Sequence, residues 1–165
     1  MQNHLSKREY SFPAIPRILN MSVSKKRTVS STERDFYKHW TEVKLRYSDT
    51  DRQGHVNNVI FCTMYESGRC EFLFDSSESI AGEQFAFVIV KLNLDFLAEM
   101  NYPGTVKIGS RITARGNSSF TVSQALFQND KCCSTAESVI VLTDKESKRS
   151  CPLTETVLDR LNSIS

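Results

Sequence analysis

The pattern of apolar and polar positions along this chain changes period once. From residue 57 or 58 to about 75 there is no proline, and Phe61, Tyr65, Phe72 and Leu73 recur at helical spacing with Gly68 on the same stripe. Val59, Cys62 and Met64 widen that stripe, so the segment reads as a long helix buried on most sides, with Gly68 permitting close approach to its packing partner. Beyond it the period falls to two. Residues 87–97 set Val88, Val90, Leu92, Leu94 and Phe96 on one face and Ile89, Lys91, Asn93 and Asp95 on the other. Turn residues Asn101-Tyr102-Pro103-Gly104 lead into 106–115, where Val106, Ile108, Ile112 and Ala114 alternate with Lys107, Gly109, Arg111, Thr113 and Arg115. Two more turns, Gly116-Asn117-Ser118 and Gln128-Asn129-Asp130-Lys131, bound strands over 120–128 and 132–143.

Ahead of the long helix, Ser30-Ser31-Thr32-Glu33 supplies N-cap residues for a short helix to about Trp40, and the alternation over 43–47 predicts a strand. Pro152-Leu153-Thr154-Glu155 starts a short C-terminal helix holding Val157, Leu158 and Leu161. One strand, one long helix and four strands joined largely by short turns predict an α+β unit, a five-stranded antiparallel sheet wrapped around a single helix.

Composition narrows the class. At 165 residues, 39% hydrophobic and 24% charged, the chain is an ordinary folded globule of one domain. No apolar run approaches the ~18–20 residues of a membrane-spanning helix, and no signal-peptide core opens the chain. The five cysteines, at 62, 70, 132, 133 and 151, lack metal-ligand spacing and are odd in number, which argues against a zinc site and a disulfide framework. Core packing explains Cys62 and Cys70 better than a nucleophilic role.

The net charge of +2 is a sum over unlike parts. Residues 1–30 hold six basic groups against Glu9 alone, whereas the rest carries 15 basic against 18 acidic groups. Nucleic-acid binding would want a basic face on the folded body, and this body is mildly acidic. Residues 1–30 therefore read as a basic extension, and 31–165 as the domain. The expected location is cytoplasmic, with organelle import through the Ser-rich, acid-poor head as the alternative.

Chemistry concentrates in Asp49-Thr50-Asp51-Arg52-Gln53-Gly54-His55-Val56-Asn57-Asn58, a polar loop running straight into the N-terminus of the long helix. Such loops combine acids and bases with unpaired backbone N–H groups that can stabilise developing negative charge. The Asp49-x-Asp51-x-Gln53-Gly54 spacing approaches a calcium loop, but the twelfth position needs a bidentate Glu and holds Ile60.

The run from Arg46 through Asn58, followed by Tyr65-Glu66-Ser67-Gly68-Arg69, resembles the signature of hotdog-fold acyl-CoA thioesterases of the 4-hydroxybenzoyl-CoA thioesterase type, over about residues 41–145. Its His-Val-Asn-Asn segment also resembles that of plant acyl-carrier-protein thioesterases. The resemblance implies a hotdog fold and hydrolysis of an acyl thioester, with acyl-CoA or acyl carrier protein as the carrier and neither metal nor other cofactor. It places the reactive carboxylate on Asp51, the carbonyl-polarising amide near Asn58 and an orienting or donating imidazole on His55. Gly54, Asn57, Val59 and Glu66 fall among the expected substrate contacts, and Glu66 is also the second candidate for the reactive carboxylate, since some hotdog thioesterases use a helix Glu. As nucleophile or as general base, a carboxylate at Asp51 serves equally well.

Plainer readings stand beside these. Asp49 caps the turn, Asp51 and the two asparagines can satisfy helix N–H groups, His55 can be a hydrogen-bonding spacer, and Glu66 can pair with Arg69 at i+3. Lys107, Arg111 and Arg115 form either a solvated basic face or contacts to coenzyme phosphates. The resemblance further implies a homodimer, with a homotetramer open, joined through the edge strand at 87–97. Two other activities fit the fold: a non-catalytic acyl-CoA-binding module, and a dehydratase or hydratase.

Overall fold

The computed structural model describes residues 30–75 and 78–165, so the basic head before Ser30 lies outside the described residues. A 3-10 turn (Arg34–Phe36) precedes β1 (His39–Lys44), and a second (Tyr47–Asp49) precedes α1 (Asn58–Leu73). A two-residue hairpin, β2 (Phe74–Asp75) with β3 (Glu78–Ser79), leads to β4 (Phe85–Phe96), β5 (Thr105–Arg115), β6 (Ser119–Gln128), β7 (Lys131–Asp144) and α2 (Glu155–Ser163). Strands β1, β5, β6, β7 and β4 form one antiparallel sheet in that order, leaving β1 and β4 as its edges.

The sheet curls around α1. At one end Phe61, Met64 and Tyr65 pack with Val106, Ile108, Leu126 and Met100. At the other, Phe72 and Leu73 meet Phe120, Ile140 and Leu142, and Val157 and Leu161 of α2 close the cluster. A buried polar layer separates them: Arg69 donates to Gln124 Oε1 (3.1 Å) and Ser138 Oγ (3.4 Å), while Gln124 Nε2 donates to the Tyr65 carbonyl (3.1 Å). Gly68 lies against that layer, where an added Cβ would fall 2.7 Å from Ile108 Cγ2, so the close approach expected of it is real.

Three expectations need correction. The N-terminal helix reduces to one 3-10 turn, and the strand begins at His39 rather than Val43. A helix of about ten residues is marginal alone, whereas His39 to Lys44 gain six paired positions on β5 and Tyr37 packs onto Gly109. The five strand-face residues assigned to 87–97 do not share a face, because the register shifts between Ile89 and Lys91. Before that bulge Phe87 stacks edge-on to core Phe120, and after it Phe96 stacks on Phe61 of α1, so Val88 and Val90 fall off the helix-facing side. Finally, α1 is not buried on most sides: Val59, Cys62 and Cys70 are exposed, because the sheet covers one face of the helix only.

Candidate active site

The polar loop is folded by its own side chains. Asp49, 3% exposed, accepts from the Arg46 main-chain N–H at 2.8 Å and from the guanidinium at 3.0 and 3.2 Å. Burial pushes this carboxyl up, but the hydrogen bonds and charge of Arg46 outweigh it and hold the group below its ordinary range. Asp49 is thus the turn cap that the sequence suggested. Its carbonyl accepts from the Asn57 N–H at 2.9 Å, which ties the loop to the start of α1.

Within that frame Asp51 and His55 face each other across a tight turn. The Asp51 N–H donates to the His55 carbonyl (2.8 Å), and the Gly54 N–H donates to the Asp51 carbonyl (3.1 Å) with Gly54 at φ +88°. Asp51 Oδ1 accepts from the Gln53 N–H at 2.7 Å, while Oδ2 has no hydrogen-bond partner among the described residues. Asn57 is the N-cap, its side chain accepting from the Val59 N–H at 3.0 Å. The Asn58 N–H, at the first helical position, has no acceptor among the described residues, and the positive end of the helix dipole lies behind it.

These groups open on a cleft of about 350 Å3 lined by Asp51, Gln53, His55 and Asn58 and walled by Val56, Phe61, Phe96, Leu97 and Ala98. Phe96 and Phe61 meet edge to face with centroids 5.0 Å apart. A carboxylate oxygen, an unpaired amide and an apolar wall at one opening suit a polarised carbonyl bearing an apolar chain. Among the described residues no three His, Cys, Asp or Glu side chains gather as a metal site would require.

Of the residues singled out from the sequence, the cleft brings together Asp51, His55 and Asn58. Gly54 shapes the turn, Asn57 caps the helix and Val59 points outward at the first turn, all three beside the lining rather than in it. Glu66 is exposed eight residues farther along α1, about 12 Å at the helical rise, and outside this cleft. Arg69, its candidate partner at i+3, turns its guanidinium inward to hydrogen-bond Gln124 and Ser138, because a buried guanidinium needs acceptors at its own depth. The Glu66 charge acts on it without a direct ion pair. Arg111 is taken up by the Phe36 carbonyl and ring, and Arg115 by Asn162, which leaves Lys107 alone of the three basic positions without such a contact among the described residues.

Sequence reasoning missed Glu99, whose Oε2 lies 3.1 Å from His55 Nε2 on the cleft wall. The signal available was slight: an acid that interrupts the apolar run Phe96-Leu97-Ala98 just ahead of a turn.

Residues 45–161 match the family profile described as the Thioesterase-like superfamily. The acyl-CoA thioester hydrolase YbgC of Escherichia coli is 27% identical over 106 residues, which are 62% of this chain and 79% of that protein. A Pseudomonas aeruginosa protein of known structure superposes with a TM-score of 0.73 at 25% identity, over 80% of this chain and 94% of the other. A thioesterase from Thermus thermophilus, solved with coenzyme A and zinc, gives 0.66 at 26% identity over 77% and 93%.

Proposed function

Because this chain belongs to the thioesterase-like superfamily, we propose that it is an acyl-CoA thioester hydrolase whose reaction takes place in the cleft between the Asp51 loop and the end of β4. The observation that carries this reading is that Asp51 and Asn58, whose Oδ2 and main-chain N–H are unpaired among the described residues, line one partly apolar opening. The relationship to a bacterial acyl-CoA thioester hydrolase and to a thioesterase that holds coenzyme A supports the substrate class.

In the proposed reaction the thioester carbonyl oxygen accepts from the Asn58 N–H, and the helix dipole adds to the stabilisation of the tetrahedral oxyanion. Asp51 either attacks the carbonyl carbon, forming a mixed anhydride that water then opens, or takes a proton from the attacking water. Both routes break the C–S bond, form a C–O bond to oxygen that comes ultimately from water, and release a free acid with the coenzyme thiol. Phe61, Phe96 and Leu97 give the acyl group an apolar wall.

The working unit in this reading is a dimer joined through β4. That strand pairs with β7 on one side and has no neighbour on the other among the described residues, while Val88, Ile89, Val90, Leu92 and Phe96 are exposed along it.

Hydrolysis of a panel of acyl-CoAs, followed by thiol release, tests the proposal. Asp51→Asn is expected to lower kcat by at least about 100-fold, the scale of a lost acid–base or nucleophilic group. Turnover unaffected by that change would overturn the mechanism, and tight acyl-CoA binding without thiol release would favour the binding module.

A further inference from the structure

His55 has two ring nitrogens, and the structure sets one of them beside a carboxylate. Its Nε2 lies 3.1 Å from Glu99 Oε2, within hydrogen-bonding range, while Nδ1 has no partner among the described residues. Both side chains line the cleft that holds Asp51 and Asn58. A neutral imidazole carries one N–H and a carboxylate can only accept, so a proton on Nε2 is the one that Glu99 can hold, with the lone pair then on Nδ1.

Glu99 is not a side chain on a loose loop. The Leu97 and Ala98 N–H groups both donate to the Cys133 carbonyl, at 2.9 and 3.0 Å. On the other side, the Met100 carbonyl accepts from the Val56 N–H at 2.9 Å, and Gln128 holds both the N–H and the carbonyl of Asn101, at 2.9 and 2.8 Å. The backbone is therefore pinned immediately before and after Glu99. The Val56 bond also joins this segment directly to the loop that carries His55. A short bridge between His55 and Asn101 adds a second link.

We infer that Glu99 is a positioning residue for the hydrolysis proposed above: it fixes the ring and tautomer of His55 so that Nδ1 is the nitrogen presented to water. This rests on the hydrolase reading for its purpose, although the Glu99–His55 pair exists independently of it. On the anhydride route, where Asp51 is the nucleophile and the C–S bond has already broken, water forms the new C–O bond to the acyl carbon as the acyl–Asp51 bond breaks; the water proton passes to the Nδ1 lone pair, and the transient imidazolium keeps Nε2–H toward Glu99. The proton then leaves Nδ1 for bulk water, which restores the neutral ring. A carboxylate that orients a histidine in this way contributes through the histidine alone.

A double-mutant cycle tests it. Glu99→Ala is expected to lower kcat roughly 10- to 100-fold with little change in KM, since the loss is of a group acting in the transition state. Glu99→Gln keeps an oxygen that can accept from Nε2–H and should retain most of the activity. In a His55→Ala background, Glu99→Ala should cost nothing more. An equal loss in both backgrounds, or no loss in the single variant, would overturn the inference. Thermal unfolding of each variant guards against a purely structural effect; Glu99 is 59% exposed on its side chain, so its truncation should leave the melting temperature in place.

A spectroscopic arm keeps this separate from the hydrolase reading. In wild type, nitrogen-15 imidazole spectra should show His55 protonated on Nε2 and bare on Nδ1, with a deshielded Nε2 proton that moves upfield and exchanges faster in Glu99→Ala. If no acyl-CoA is turned over yet that proton responds to Glu99, the hydrolase reading fails and the pair stands. If the proton is indifferent to Glu99, the positioning role fails whatever the activity.

Discussion

Asp49 and Asp51 stand two residues apart and are held very differently. Asp49 is buried under three hydrogen bonds from Arg46, which hold its carboxyl below 3.8 despite the desolvation that pushes it up. A depressed carboxyl stabilises the fold above its unfolded value and loses that contribution as pH falls through the folded value. Asp49→Asn should therefore cost about 1–3 kcal/mol in urea unfolding at neutral pH, the scale of hydrogen bonds to a buried charge. The gap between variant and wild type should close in acid, below 3.8. A gap constant down to acid pH would show that the charge on Asp49 is not what Arg46 holds. Among the described residues Asp51 has one backbone donor, on one of its oxygens, which leaves the other open for the role proposed for it. The spacing in the sequence singled out both acids. Which of them is locked was decided by the Arg46 side chain folding back over three residues, a choice the fold makes.

At the scale of elements, periodicity located α1 and the four later strands to within about two residues, because each has a face whose burial depends on its period. It failed where a single residue changes the count. Val88, Val90 and Leu92 alternate without a break in the sequence, and only pairing against β7 shows that the register shifts between Ile89 and Lys91. The N-terminal capping signal failed for a related reason, since local preference was outbid by strand pairing to β5 and by the seat that Gly109 offers Tyr37. Gly68 is the converse, a residue whose role could be read in advance. Gly68→Ala gains about 1 kcal/mol of helix propensity, yet its Cβ would press on Ile108 and on Gln124, which the buried polar layer holds in place. Overpacking of about 1–3 kcal/mol should prevail. The measurable outcome is a lower melting temperature; a stabilised Gly68→Ala would mean that the layer gives way more easily than its hydrogen bonds suggest.

On the scale of the whole molecule, β4 has no neighbour on its outer side among the described residues and carries exposed apolar side chains, and the proposed dimer is the arrangement that covers them. Val90, 60% exposed at the bulge, is the position to test. Val90→Lys places a solvated charge on the edge and should shift sedimentation from dimer to monomer, with activity falling in step if the cleft is completed across the pairing. A wild-type monomer, or a dimer indifferent to this change, would place the contact elsewhere. No described helix is long and apolar enough to cross a membrane. By itself the sequence determined the α+β class, the helix at the centre and the polar loop that enters it, because these follow from periods and capping chemistry that act over a few residues. Only the tertiary structure decided that Glu99 meets His55, that Arg69 turns inward and that β4 breaks its register. Each of these depends on groups far apart in the chain, held at contact distance by a sheet whose pairing no local pattern encodes.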